Sequence, residues 1–378
     1  MRESNEPVAI KPLRVLAATL ILFLLSNLCF ALANPSTGHL ALFNDMLPGF
    51  DRFPELRAQA DASGVSIMTD FDILFPLHII SSREKPKDEF RIVMVGDSSV
   101  WGTLLRLEQT MTGQINSAQL QSCDNRRVVA YNLGLGGKSA LRDLLMISEL
   151  VNNDQPDLII WSFTMNTFSE ADKSNEVFAN ANYGRTRALE EITGYHFLDD
   201  TTPPRESSWV DRTIYGRREE LNLLYQLSWL RLKSLSIGTD DFKVLDEDDR
   251  VQDRKVGKKD DYEGLRAGDN ALALLDARFL LSAVKIAKGV PIIYLNEPMY
   301  TITDNPVRYN ASYPHWAYDQ YRSRLGDLSR EYSWTYLDLW DLVPPSEFSN
   351  SLEHRTVEGE TLVTRELIPA IISEACPQ

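Results

Sequence analysis

Three polar residues that lie far apart in the sequence are of the types that carry out acyl transfer: Ser98, Asn166 and His354. A serine hydroxyl is an effective nucleophile only when a base lies within hydrogen-bond reach and N–H donors stabilise the developing oxyanion. Histidine supplies such a base, and the side-chain amide of asparagine supplies two N–H donors. Each residue alone also has a simpler interpretation, as a helix cap, a turn residue or a surface histidine.

The segments around these residues favour a shared site. Ser98 ends the run RIVMVGDS, and the next apolar run leads into YNLGLGGKS at residues 131–139. Glycines there allow a backbone N–H to approach a substrate closely, although a flexible turn explains them equally well. Asn166 directly follows a third apolar run. Trp101 and Glu297 are predicted to contact the substrate, and for Glu297 a loop start fixed by the following proline is the alternative.

The elements that must position these residues follow from an alternation of apolar and amphipathic segments. Five strand-like segments alternate with helical ones: residues 91–96, 127–134, 156–163, 290–298 and 335–340. The alternation predicts an α/β fold with three α/β/α layers around a five-stranded parallel sheet in flavodoxin-like order. Ligands of such sheets bind outside the carboxyl ends of the strands, which is where Ser98 is expected.

A segment of about a hundred residues interrupts this alternation, at about 168–268. We predict that it is an insertion after the third strand, within a domain that spans residues 90–378. The charged stretch at 246–264 has almost no apolar residues and is expected to form a mobile loop. The aromatic residues of the insertion either stack on sugars or form its core, and the core is favoured: Tyr183, Trp209, Tyr215 and Trp229.

The N-terminal segment indicates export from the cytoplasm. Residues 15–33 carry no charge and follow Lys11 and Arg14, and the run approaches the ~20 apolar residues that span a bilayer. Because it exceeds the ~7–15 residues of a usual signal core, we favour an uncleaved single-pass anchor over a cleaved signal or a buried helix. The basic residues are expected to stay in the cytoplasm. Residues 34–89 then form an extracytoplasmic arm that packs on the domain.

The charge and the cysteine content narrow the classes of partner and site. A net charge of −15 disfavours nucleic acid as a partner. The sequence contains no CxxC or HExxH motif, so a structural zinc site is not expected. The end of the last helix should approach the loop that leads into the second strand. This predicts a disulfide between Cys123 and Cys376, with two unpaired thiols as the alternative.

The polar segments together resemble the sequence blocks of the SGNH/GDSL hydrolase superfamily, over roughly residues 90–375 with the insertion excepted. The matching positions are Gly96-Asp97-Ser98 with Gly102, then Asn132, Gly134 and Gly137, then Asn166, then His354. Two blocks depart from the family pattern. The block that is normally Gly-x-Asn-Asp reads TMNT, and the block that is normally Asp-x-x-His reads SLEH.

The resemblance implies a role for each matching residue. Ser98 would be the nucleophile and His354 the base, with the N–H groups of Ser98 and Gly137 and the side chain of Asn166 forming the oxyanion hole. No metal or organic cofactor is implied.

The departure at Ser351 affects the group that orients the imidazole of His354. In a serine triad this group is a carboxylate, and its replacement by an amide in a serine protease costs ~10⁴ in turnover. Ser351 is predicted to be a weak third member, with Asn350 or Glu353 as alternative acceptors.

The sequence is therefore consistent with three functions. The first is hydrolysis of O-acyl groups, such as O-acetyl, on an extracytoplasmic carbohydrate or lipid. The second is acyl transfer to a polysaccharide together with a membrane-bound acyl-transfer protein. The third is binding of carbohydrate, or assembly, without catalysis.

Overall fold

The computed structural model describes residues 11–35, 40, 43, 46–54, 69–82, 84–169, 172–174, 176–198, 208–237, 259–271, 276–304 and 307–376. Most of the charged stretch at 246–264 lies outside these residues, as do parts of the arm. The prediction of a mobile loop there stays a prediction.

Five parallel strands form the central sheet, in the order β2-β1-β3-β6-β9. The strands in chain order are β1 (Glu89–Gly96), β2 (Arg127–Gly134), β3 (Leu158–Phe163), β4 (Asp261–Tyr262), β5 (Leu265–Arg266), β6 (Ile292–Asn296), β7 (Thr301–Asp304), β8 (Val307–Asn310) and β9 (Thr335–Asp338). Strands β1, β3 and β6 are buried along their whole length, which explains their continuous apolar sequences. The predicted flavodoxin-like architecture is confirmed.

Helices cover both faces of the sheet. In chain order they are α1 (Pro12–Ala33), α2 (Phe71–Leu77), α3 (Ser98–Trp101), α4 (Met111–Ser117), α5 (Ala140–Asn153), α6 (Glu176–Ala181), α7 (Tyr183–Thr193), α8 (Arg218–Ile237), α9 (Ala277–Ile286), α10 (His315–Tyr332) and α11 (Val357–Ala375). The apolar faces of α5, α9 and α10 join one core cluster, and those of α4 and α11 join the other. The first and last helices of the domain therefore share a face.

The arm is built into the domain. Phe53 and Phe71 are fully buried in the larger core cluster. The guanidinium of Arg52, 1% exposed, donates to the carbonyls of Trp101 at 3.1 Å and Leu105 at 2.9 Å. His78 is also buried, and burial lowers its pKa to about 4. The arm thus stabilises the chain that follows Ser98 through the hydrogen bonds of Arg52.

The insertion packs on the arm through α8. Leu224 and Leu227 of α8 bury their side chains against Phe50 and Leu77. Arg231 donates to the carbonyls of Pro48 at 3.0 Å and Gly49 at 2.7 Å.

The aromatic residues of the insertion do not form its core as a group. Tyr183 packs against the main core, but Trp209 (54% exposed), Tyr215 (57%) and Trp229 (64%) point outward. The expectation that these three form a core is wrong, because the buried side of α8 consists of its leucines.

Two features at the ends of the chain complete the fold. Cys123 and Cys376 form a disulfide with Cα atoms 5.0 Å apart, at the amino edge of the sheet. Helix α1 is long and apolar enough to cross a membrane, and most of its side chains are exposed.

Candidate active site

Ser98 and His354 meet at the carboxyl edge of the sheet. Ser98 begins α3 directly after β1, where Asp97 caps the helix by accepting from the N–H of Ser99 at 2.8 Å. The hydroxyl Oγ of Ser98 lies 2.8 Å from Nε2 of His354, and both side chains are half-buried. A Cβ on Gly134 of β2 would lie 2.2 Å from the backbone nitrogen of Trp101, so only glycine allows β2 to approach α3 this closely.

The imidazole of His354 is oriented by Asn350. The Nδ1 atom of the ring lies 2.8 Å from Oδ1 of Asn350. An amide oxygen only accepts, so Nδ1 carries the proton and Nε2 is left to accept the hydroxyl proton of Ser98. Ser351, predicted to be a weak third member, accepts through its hydroxyl from the backbone N–H groups of His354 and Glu353, at 2.8 and 3.1 Å, and its role toward the imidazole stays a prediction.

We expect Asn350→Asp to raise kcat by ~10-fold or more, with ~10⁴ as an upper bound, because a carboxylate stabilises the imidazolium and an amide does not. The added charge also raises the pKa of His354, so the acidic limb of the pH–rate profile should move to higher pH. Ser351→Ala serves as the control and should leave the limb in place. An unchanged limb in Asn350→Asp would contradict this assignment of the orienting group.

The glycine-rich turn after β2 is shaped by Arg142, a residue that the sequence analysis did not single out. Its buried guanidinium donates to three successive carbonyls, of Leu135 and Gly136 at 3.0 Å and of Gly137 at 2.7 Å. A trans peptide points its N–H away from its C=O. With the carbonyl of Gly136 turned inward, the N–H of Gly137 faces outward, and Gly137 is exposed with a φ of +78°.

We expect Arg142→Lys to lower kcat by ~10²–10³ with little change in KM, the loss typical of one misplaced oxyanion donor. Lysine keeps the charge beside Asp143, which bonds Arg142 at 2.8 Å, but it cannot hold three carbonyls at once. Arg91→Lys is the matched control, because Arg91 is equally buried and pairs with Glu89 at the amino end of β1. Equal loss of kcat in both variants would refute a role of Arg142 in shaping the turn.

Asn166 lies in a short 3₁₀ turn after β3, and two tyrosines hold it. Its backbone N–H donates to the hydroxyl of Tyr313 at 3.2 Å, and that hydroxyl donates to Thr164 at 3.1 Å. The hydroxyl of Tyr262 donates to Oδ1 of Asn166 at 3.4 Å. This contact assigns the other end of the amide, Nδ2, as the donor available to an oxyanion.

A buried charge cluster lies beneath the nucleophile and includes Glu297. The carboxylate of Glu297 accepts from the hydroxyl of Ser99 and pairs with Arg355 at 3.2 Å, while Arg355 also pairs with Glu360 at 2.7 Å. Glu297 is 0% exposed, so it does not face a substrate as predicted. Trp101 is likewise buried, with its indole N–H donating to the carbonyl of Phe53 at 2.7 Å.

Burial raises the pKa of Glu297 to about 8. Its Oε1 atom is buried and has no hydrogen-bond partner among the described residues, which also favours the neutral acid. The native state therefore keeps this proton above the pH at which the unfolded chain loses it.

We expect Glu297 to contribute a fall in the free energy of unfolding that approaches ~1.4 kcal/mol per pH unit between about pH 5 and about pH 8. Below about pH 6.5 the buried His78 contributes the opposite slope, so the net fall is expected above that pH. A raised folded-state pKa makes the stabilising contribution complete at low pH and lost as pH approaches the folded value. Urea unfolding at several pH values checks this. Glu297→Gln, which cannot ionise, should flatten the slope, whereas Glu366→Gln on the exposed side of α11 should not. Identical slopes in both variants would rule out Glu297 as the source.

An ion pair joins the two loops of the site. Lys138, next to Gly137, bonds Glu353, next to His354, and lies 4.0 Å from Asp97. Burial works against the charged lysine, but the two carboxylates outweigh it and hold the pKa of Lys138 above its usual value. The pair therefore fixes the glycine-rich turn after β2 relative to the loop that carries His354. Among the described residues, no group of three or more His, Cys, Asp or Glu is placed to hold a metal ion.

Comparison with known proteins gives similarity of structure only. No family model and no curated protein matches the chain. Similar solved structures include a member of the lipolytic G-D-S-L family from Veillonella parvula, with 10% identity, 74% of this chain and 96% of that chain covered, and a TM-score of 0.36. An acetylxylan esterase from Geobacillus stearothermophilus has 13% identity, coverage of 74% and 93%, and a TM-score of 0.36.

A carbohydrate acetylesterase family member from Sinorhizobium meliloti has 14% identity, coverage of 75% and 98%, and a TM-score of 0.33. At these values the similarities concern the fold and do not assign a reaction. The strand order and the position of Ser98 after β1 agree with the fold that the resemblance to SGNH/GDSL hydrolases implies.

Proposed function

We propose that this chain is a serine-dependent enzyme that cleaves O-acyl esters, O-acetyl esters above all, of an extracytoplasmic carbohydrate or lipid. One observation carries the proposal: the hydroxyl of Ser98 lies 2.8 Å from Nε2 of His354, at the edge of the sheet that also carries the proposed oxyanion donors Gly137 and Asn166. A nucleophile, a base and oxyanion donors on separate elements at one edge are the minimum for acyl transfer.

The geometry supports a two-step reaction. Oγ of Ser98 attacks the ester carbonyl carbon while its proton passes to Nε2 of His354, and the oxyanion is held by the N–H groups of Ser98 and Gly137 and by Nδ2 of Asn166. Collapse breaks the bond to the leaving oxygen, which takes the proton from Nε2 and departs as an alcohol. Water or a sugar hydroxyl then gives its proton to Nε2 and attacks the acyl carbon. The bond between that carbon and Oγ breaks, Oγ takes the proton back from Nε2, and the carboxylic acid or the new ester leaves.

The N-terminal helix supports membrane attachment without cleavage. The side chain of Asn27 in α1 accepts from the backbone N–H of Tyr215 at 2.9 Å, and Asn27 and Ala31 are buried against the insertion. A signal that is removed after residue 33 would take these contacts with it. We infer a single-pass anchor with a cytoplasmic N-terminus, which places the site near the outer membrane surface and within reach of a membrane-bound acyl-transfer protein.

A second candidate is a tethered carbohydrate-binding or assembly protein without catalysis. The observation that favours it is the neutral amide of Asn350 where a triad has a carboxylate.

The test uses the full chain in detergent or nanodiscs. The enzyme should hydrolyse p-nitrophenyl acetate and be labelled by a fluorophosphonate, with mass spectrometry locating the adduct on Ser98. Absence of both signals, with the protein folded, would favour the binding protein. Acetylated oligosaccharides and unacetylated sugar acceptors then distinguish hydrolysis, which releases acetate, from transfer, which yields an acetylated acceptor.

A further inference from the structure

The contact between α1 and the insertion fixes how deep the insertion lies relative to a bilayer. Besides the bond between Asn27 and Tyr215, the guanidinium of Arg217 lies 5.6 Å from the ring centroid of Phe30 and donates to the carbonyl of Pro35 at 2.5 Å. Asn27, Phe30 and Ala31 are spaced i, i+3, i+4, so one side of the last two turns of α1 is covered.

The depth follows from helix geometry. Asn27 lies six residues before Ala33, the last residue of α1, and at 1.5 Å per residue this is about 9 Å along the axis. A 22-residue helix is only slightly longer than the ~20 residues that cross the hydrocarbon. With α1 centred on ~30 Å of hydrocarbon, Asn27 lies ~7–8 Å inside the outer edge. The segment around Tyr215 therefore meets α1 just below the headgroups, within the ~5–10 Å depth of interfacial helices. The polar side chain of Asn27 is satisfied there, since it also donates to the carbonyl of Phe23 at 2.8 Å.

An exposed apolar face continues from this contact along the insertion. Trp209, Val210 and Tyr215 are each more than half exposed. On α8, Tyr225 (70% exposed), Trp229 and Leu232 are spaced i, i+4, i+7 and share the side opposite the buried leucines. We call these six residues the aromatic face.

The exposed side chains around the aromatic face carry a net positive charge, which anionic lipids attract. Among the charged side chains of residues 208–237, the exposed ones are three basic residues, Arg212, Arg218 and Lys233, and two acidic residues, Asp211 and Glu219, in a chain whose net charge is −15. Arg217 pairs with Glu220, and Arg231 is buried against the arm. Tryptophan, tyrosine and basic residues beside an apolar stripe are the composition of helices that lie in the membrane interface.

We propose that the aromatic face docks on the lipid bilayer beside α1, with α8 lying in the headgroup–acyl boundary. The proposal rests on the proposed membrane anchoring and is independent of the proposed ester chemistry. Docking orients the active site, because α8 holds Pro48 and Gly49 through Arg231, and the neighbouring Arg52 holds the chain after Ser98. The site would thus face substrates presented at a set height above the membrane.

A pair of matched labels tests the docking. Ser236 lies on the outward side of α8, and its hydroxyl bonds the carbonyl of Lys233; Ser117 is the exposed last residue of α4, and its hydroxyl bonds the carbonyl of Gly113. Full-length protein carrying Cys29→Ser with either Ser236→Cys or Ser117→Cys is labelled with a nitrobenzoxadiazole fluorophore. Each is reconstituted in vesicles of 3:1 phosphatidylcholine and phosphatidylglycerol, with or without brominated acyl chains.

The label at 236 should lose about half of its emission in the brominated vesicles, because the face of an interfacial helix lies ~5–10 Å into the headgroup–acyl boundary. The label at 117 should be unaffected. Adding Trp229→Ser and Leu232→Ser should reduce the quenching at 236 while hydrolysis of a soluble ester continues. Quenching at neither site, as expected if a protein partner covers the face, or equal quenching at both sites, would overturn the proposal.

Discussion

Ser98→Ala is expected to lower kcat for p-nitrophenyl acetate by roughly 10⁵–10⁶ and to abolish fluorophosphonate labelling, because the variant has no atom that can form the acyl-enzyme. The fold should be unaffected. The hydroxyl of Ser98 is half-buried and bonds only the imidazole of His354 among the described side chains, so its removal leaves no buried group unpaired.

A nearby serine provides the control for this variant. Ser99 is buried, and its hydroxyl bonds Glu297, so Ser99→Ala should reduce stability and leave labelling in place. Persistent labelling in Ser98→Ala, or loss of labelling in Ser99→Ala alone, would remove Ser98 from the mechanism.

His354→Ala is expected to reduce kcat nearly as much, by ~10⁴–10⁶, since nucleophile and base act as a unit. Without the base, the remaining activity should rise with pH, as hydroxide takes over deprotonation. Added imidazole should recover part of the rate if the cavity left by the side chain admits it.

His315→Ala is the matched control, because His315 is an exposed histidine that pairs with Asp319 at 3.1 Å on α10. Its rate should equal that of the unaltered enzyme. If His354→Ala lost less than tenfold, another group would have to serve as the base.

The strands were predictable because each is an unbroken apolar run that ends in a turn. The segment YNLG and the apolar residues before it form β2 with the predicted bounds. The helical segment predicted after the first strand begins, as α4, only at Met111, since the hydroxyl of Thr110 accepts from the N–H of Gly113 and caps the helix there. The hairpin of β7 and β8 was missed, although its two short runs flank the sequence DNP, whose residue types favour turns.

The site was predictable where chemistry depends on residue type, and not where it depends on which way a side chain turns. Ser98 and His354 could be placed by their positions after a strand and before a helix. An arginine in the first turn of a helix normally points to solvent. The inward orientation of the Arg142 side chain therefore could not be predicted from the sequence. Likewise Asn350 and Ser351 are one residue apart, and only the turn geometry decides which of them contacts the imidazole.

The disulfide closes part of the chain into a covalent ring, so the covalent connections of the molecule no longer follow the order of the chain alone. Cys123 and Cys376 enclose the whole insertion and the loop that carries His354, whereas Ser98 lies outside the ring. A protease that cuts one peptide bond anywhere between the two cysteines therefore releases no fragment. Ser98 and His354 therefore stay in one covalent molecule after such a cut, and only reduction separates the two parts. Under the proposed anchoring, a chain that is cut in its insertion keeps both parts of the proposed site attached to the same membrane helix.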